Sequence, residues 1–292
     1  MRRFTALVPA LAALPLLCAA SHAPAPATRI DADNAVRAAL AAAGTTTKLQ
    51  AEALIRLAWP PDGQRDPAVG ARARQEIVGF GPNGIGALGD AVVTVPPKYR
   101  AEVVASIIEA RQYFVGPFPP EYVPALESAL WFGTRDAKLL AFDELARMRD
   151  AGACLAVMDS AVEDPEILPR AIDTLGAIGD DRARFFLAEH LNKGTPAVRE
   201  HAAGALARIQ GRALDPLRAA IRSDNRELRE MSVRALLPVA NEDQLGDLYE
   251  YAAARPGDDP ALLASVRDTT QQLERLLEVK RQADAADAPH DF

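Results

Sequence analysis

The sequence predicts an all-α chain, an α-solenoid of stacked helix pairs, and three observations predict it. Apolar residues make up 49% of the 292 positions but aromatic residues only 5%, and alanine is abundant. Alanine is the strongest helix former and allows close helix packing. The 18 glycines and 22 prolines imply many short elements with frequent stops. Most decisive, one apolar pattern returns along the chain at a fixed spacing.

Starts at Asp66, Thr134, Asp164, Thr195 and Asn225 bring that pattern into register. Three positions on stand Val69, Ala137, Ile167, Val198 and Leu228. Seven on stand Ala73, Ala141, Ala171, Ala202 and Ser232, all small. Eleven on come Ile77, Leu145, Leu175, Leu206 and Leu236; fourteen on come Phe80, Met148, Ile178, Ile209 and Val239. These offsets trace one face of an α-helix. The small column fits a helix crossing, where a large side chain would hold two backbones apart. The last four starts lie about 30 residues apart, room for two short helices and two turns. Asp66-Pro67, Asp164-Pro165 and Thr195-Pro196 each place a capping side chain before a proline at the first helical position. Gly81, Gly179 and Gly211 fall where the first helix of a unit should end.

Second helices repeat too. Ile85, Leu88 and Val92 match Leu214, Leu217 and Ile221, and Ala183, Leu187 and Leu191 play the same part. A further unit is expected over 97–133. It is degenerate: Val104 and Ile108 keep the register while Arg100 and Arg111 break it. The organisation expected is a signal peptide over 1–23, a linker over 24–30 and a helical cap over 31–65. A repeat array of about six helix pairs over 66–257 follows, then a capping helix over 258–283 and a disordered tail over 284–292.

The start carries an export pattern. Arg2 and Arg3 precede an apolar run from Leu7 to Leu17, followed by small residues with cleavage candidates at Ala20, Ala23 and Ala27. A soluble periplasmic or extracellular protein is the expectation. Anchoring through a lipid on Cys18 is the lesser reading, because Pro15 and Leu17 depart from the lipoprotein pattern. No second apolar run is long enough to cross a membrane. The formal charge is −7, and loss of the leader makes it more negative, which disfavours nucleic acid and anionic membrane surfaces as partners. With the leader gone, Cys154 stands alone and no internal disulfide can form.

The stretches from Thr195 to Ile209 and from Asn225 to Leu236 resemble HEAT repeats of the short bacterial kind, also found in phycobilin lyases. The resemblance is strong over 164–240 and fair over 66–95 and 134–163. It implies a right-handed superhelix with second helices lining the concave face. It implies no reaction, since such repeats mostly serve as binding scaffolds.

Candidate chemistry is sparse. HEAT-like deoxyhypusine hydroxylases bind two irons with His-Glu pairs on successive repeats, and Glu200-His201 resembles that pattern. Here the order is reversed, which displaces the imidazole about 100° around the helix. Glu189-His190 falls on a second helix, and no other unit supplies a pair. Cys154 lies among Ala151, Leu155 and Met158 with no activating partner in the sequence. The run from Gly81 to Gly86 lacks dinucleotide spacing and a preceding strand, and reads as an inter-helix turn. No cofactor, metal site or catalytic residue is expected.

Two features remain for binding. Six of the 16 aromatics, Tyr113, Phe114, Phe118, Tyr122, Trp131 and Phe132, fall within 20 residues, either as binding anchors or as packing for an irregular turn. Arg184, Arg218, Arg222 and Tyr249 are the candidate partner-binding residues, since arginine and tyrosine suit peptide or carboxylate recognition. The expected role is an exported, non-catalytic scaffold or adaptor for a protein or peptide partner. The alternatives are an enzyme framed on such repeats and a lipid-anchored protein with the same role. The assignment of faces also implies that Leu206→Asp is costly and Arg222→Asp nearly neutral.

Overall fold

Helices make up most of the computed structural model, which describes residues 28–113 and 119–286. Among these residues there are fifteen α-helices and no strand. They form seven successive pairs: α1 (Arg29–Ala43) with α2 (Thr47–Ala58), α3 (Pro67–Gly79) with α4 (Pro82–Thr94), and α5 (Arg100–Ala110) with α6 (Tyr122–Phe132). Then come α7 (Arg135–Met148) with α8 (Cys154–Glu163), α9 (Leu168–Ile178) with α10 (Arg184–Lys193), and α11 (Pro196–Ile209) with α12 (Asp215–Ala220). Last are α13 (Arg226–Leu236) with α14 (Glu242–Ala254), and α15 (Pro260–Ala286) packs on α14. The chain is an all-α solenoid. First helices stack in one layer, α1 on α3 and so on to α13; second helices form the other, contiguous from α2 through α4 and α6 to α8.

Side chains set the starts of the first helices. Asp66 accepts hydrogen bonds from the backbone N–H of Ala68 and Val69, Thr134 from Ala137, Thr195 from Val198 and Asn225 from Leu228. Asp164 differs. It caps only a turn, accepting from the Glu166 N–H at 2.9 Å, and α9 begins at Leu168. Pro169 explains the delay. In a helix started at Pro165 it would sit past the first turn, with no N–H to give and its ring against the Pro165 carbonyl. Starting at Leu168 returns it to the first turn, where proline is tolerated.

The register is also a burial pattern. All five residues of the small column are 0% exposed, and so are all five of the column four residues further on. Second-helix residues Ile85, Leu88, Val92, Leu187, Leu191 and Leu217 are likewise 0% exposed. Each pair therefore buries its apolar face against the next. Backbones come close where the residues are smallest: a Cβ on Gly176 of α9 would meet the Ala205 Cα of α11 at 2.7 Å. The glycine run before α4 is less of a turn than its composition implies. Only Gly81 takes a positive φ of 63°, while Gly84 and Gly86 lie within α4. A Cβ on Gly84 would stand 2.1 Å from the Ile77 carbonyl oxygen, so the close return of α4 onto the end of α3 requires glycine there.

The degenerate unit keeps the architecture with a shifted face. Val103, Val104 and Ile107 are fully buried while Ile108 is only partly so. Arg100 and Arg111, which break the register, turn outward to polar partners: Arg100 to the Phe132 carbonyl and Arg111 to the Glu144 carboxylate at 3.2 Å. The expected signal peptide, most of the linker, Phe114, Phe118 and the last six residues lie outside the described residues.

Two glycines give a sharp test. Gly176→Ala should destabilise by about 1–3 kcal/mol through overpacking. Gly204→Ala, in α11 with no atom within 4 Å of its added Cβ, should stabilise by about 0.5–1 kcal/mol through helix propensity. Urea unfolding measures both, and equal shifts would contradict the packing described.

Candidate functional site

Exposed apolar side chains of the repeat array divide cleanly between the two layers. Val93 of α4, Trp131 and Phe132 of α6, Leu155 and Val162 of α8, Phe185 of α10 and Tyr249 of α14 are exposed. All lie on second helices. Among the described residues from α3 to α13, no first helix exposes a large apolar side chain to this degree. Phe185 and Val162 are each 74% exposed, which buries little apolar area in the isolated chain.

Hollows open on both faces: one of about 840 Å³ lies between α11 and α13 of the first layer, and two lie between second helices. The larger, of about 950 Å³, runs between α2 and α4, with Lys48, Arg56 and Trp59 on one side and Asn83, Asp90 and Val93 on the other. A second, of about 520 Å³, lies between α10 and α12. Arg184 and Phe185 line it, opposite Asp215, Pro216 and Ala219. The Arg184 guanidinium stands 4.6 Å from the Phe185 ring centroid, a cation–π arrangement.

The other three candidate residues are drawn into contacts between repeats. Arg218 pairs with Asp247 of α14. Arg222 bridges Asp247 at 2.6 Å and Glu250 at 2.6 Å, and these hydrogen bonds hold its guanidinium firmly protonated. Asp247 is only 5% exposed, so the two arginines neutralise a buried carboxylate. Tyr249 bonds Glu274 of α15, which pushes its hydroxyl upward. Arg184, on α10, stands one pair before Arg218 and Arg222 and two pairs before Tyr249. The aromatic cluster divides as well. Tyr122 is fully buried and donates to Glu144 Oε1 at 3.0 Å, whereas Trp131 and Phe132 face outward.

A family model for HEAT repeats matches residues 185–267, from Phe185 of α10 into α15. HEAT repeats are shown over that stretch. Among solved structures, human deoxyhypusine hydroxylase in complex with glycerol is similar at 17% identity, covering 78% of this chain and 97% of that one. Its TM-score of 0.30 is too low to support any argument about this chain. No curated protein matches the chain.

Polar groups on the first helices of the HEAT repeats are largely spoken for. Arg72 of α3 reaches Asp33 of α1 at 2.6 Å, Arg170 of α9 reaches Asp143 of α7, and His201 and Arg208 of α11 both reach Asp173 of α9 at 2.9 Å. Each exposed pair contributes little; together they cross-link one layer. His190 of α10 meets the Phe186 ring edge-on at 4.4 Å, and burial lowers its pKa. Among the described residues, no three His, Cys, Asp or Glu side chains gather as a metal would require. Cys154 is fully buried, and burial followed by the Asp180 charge pushes its thiol up to about 11. Such a thiol stays protonated and is a poor nucleophile. No helix among the described residues is long and apolar enough to cross a membrane.

The arginine contacts reverse one expectation from the sequence. Arg222→Asp would set a third carboxylate beside Asp247 and Glu250, and should cost on the order of 1–3 kcal/mol, measured by urea unfolding. Leu206, fully buried, still belongs among the costly sites for a charge.

Acid should weaken the last repeat in particular. Arg229 holds the Asp258 carboxyl below its ordinary value by hydrogen bonds, against a smaller opposing effect of burial. A carboxyl lower in the folded than in the unfolded chain contributes stability above the unfolded value, about 4, and loses it as pH falls through the folded one. The unfolding temperature should therefore fall as pH drops from about 5 to about 3. Asp258→Asn should lower it at neutral pH and flatten that fall.

Proposed function

We propose that this HEAT-repeat chain is an exported, non-catalytic scaffold that binds a protein or peptide partner on its second-helix face. One observation carries the reading: the array's exposed large apolar side chains lie together on that layer. Rings and branched side chains standing in water are the usual anchors of an interface. The first-helix layer, laced with ion pairs, offers few such anchors. The mechanism is shape, a stiff surface whose outward residues can vary without disturbing the buried register. Export is the further part of the reading, supported by the basic start and apolar run of residues 2–17. Mass spectrometry of the mature N-terminus tests it, and an acylated Cys18 would indicate a tethered form.

Capture from an envelope extract tests the binding face. Partners held by the wild-type chain should be retained by Glu200→Arg, a first-helix change, and lost with Trp131→Asp or Phe185→Asp. Loss with the first-helix variant and retention with the other two would contradict the assignment.

A further inference from the structure

Chemistry along the second-helix face is uneven, and its stretch from α4 to α8 is acidic, bordered by Lys48 and Arg56 of α2 across the hollow from Asp90. The helices α4, α6 and α8 contain no lysine or arginine at all. Their acids are Asp90, Glu127, Asp159 and Glu163, with Glu121 just before α6. Asp90 and Asp159 are exposed, and among the described residues neither they nor Glu121 and Glu127 have an opposite charge as partner. Glu127 is half-buried, and burial followed by the charge of Asp150 raises its pKa, with nothing lowering it. One carboxylate oxygen of Glu121, Oε2, is buried without a donor. Leaving a buried acceptor unpaired is costly. Arg100 reaches the edge of this stretch from α5, but its guanidinium is taken up by main-chain carbonyls of Phe132 and Val93.

Apolar and acidic residues interleave here. Glu127 and Trp131 lie four apart on α6, and Leu155, Asp159 and Val162 fall on one face of α8. Because α6 packs between α4 and α8, their outward faces join into one surface. Further along the same layer the character changes, with Arg184, Lys193, Arg218 and Arg222 present.

We propose that the α4–α6–α8 stretch of the second-helix face binds a cationic amphipathic segment of another polypeptide, its large apolar side chains alternating with lysine or arginine. This rests on the reading of that layer as the binding face and adds the partner's chemistry. Apolar side chains of the segment cover Val93, Trp131, Leu155 and Val162. Its cations neutralise Asp90, Glu127 and Asp159 and supply the charges these helices lack, and the Trp131 face accepts a cation as well. An acidic segment meets like charge across the whole stretch and is rejected.

The test uses fluorescence anisotropy with two labelled synthetic peptides of about four helical turns, one of leucine and lysine and one of leucine and glutamate in the same amphipathic pattern. The lysine peptide should bind the purified chain at physiological salt, and the glutamate peptide should bind at least about tenfold more weakly. Asp159→Lys, at an exposed position, and the double variant Glu127→Lys/Asp159→Lys should weaken the lysine peptide by about tenfold or more. Glu227→Lys, an exposed first-helix control, should leave it unchanged. Equal binding of both peptides, no effect of the charge reversals, or no binding of the lysine peptide overturns the proposal. Loss with Phe185→Asp alone overturns it too, while leaving the second-helix face as the binding face. Loss with Glu227→Lys alone removes that broader reading as well.

Discussion

Everything in this chain depends on how closely successive first helices approach. Five small residues, one per unit, and the five larger ones a turn further on are all sealed from water. A bulkier residue in the small column would hold the backbones apart and open the layer behind it. Burial of this kind is local in sequence: each unit touches its neighbours and little else. The core is consequently a line running the length of the array, and the apolar area that stabilises one pair is supplied by the next.

Much of this was legible because repetition turns weak signals into strong ones. A single alanine at a helix position means little, but the same small residue in five units fixes the crossing. Caps were legible for the same reason, with Asp66, Thr134, Thr195 and Asn225 each bonding as their residue types imply. Misreadings came where a second residue altered the local balance. Pro169 moved the start of α9 beyond Asp164, and the approach of α4 to the Ile77 carbonyl kept Gly84 in a helix where composition pointed to a turn.

The candidate site was less legible, for a physical reason. Helical spacing tells which way Arg218 and Arg222 point, but the acids that meet them, Asp247 and Glu250, stand about one repeat further along the chain. No local pattern reveals such a pairing. Conversely, of the exposed residues Val93, Leu155, Val162 and Phe185, the sequence drew attention only to Leu155, as an apolar neighbour of Cys154, because an apolar residue on a helix is read as core by default. One available signal was the run of three second helices without a single basic residue. In a chain with 33 lysines and arginines, that gap is a feature of the surface.

The two layers thus divide the work. Ion pairs between neighbouring first helices satisfy polar groups internally and stiffen one side. Second helices carry the exposed rings and, in α4, α6 and α8, acids with no lysine or arginine on the same helix. The claim beneath both statements is a continuous spine in place of a central globular core, and small-angle X-ray scattering tests it most directly. A compact sphere of this length would have a radius of gyration of about 19 Å. An elongated solenoid predicts a clearly larger value with a long tail in the distance distribution, and a value at the compact limit with a symmetric distribution would contradict it.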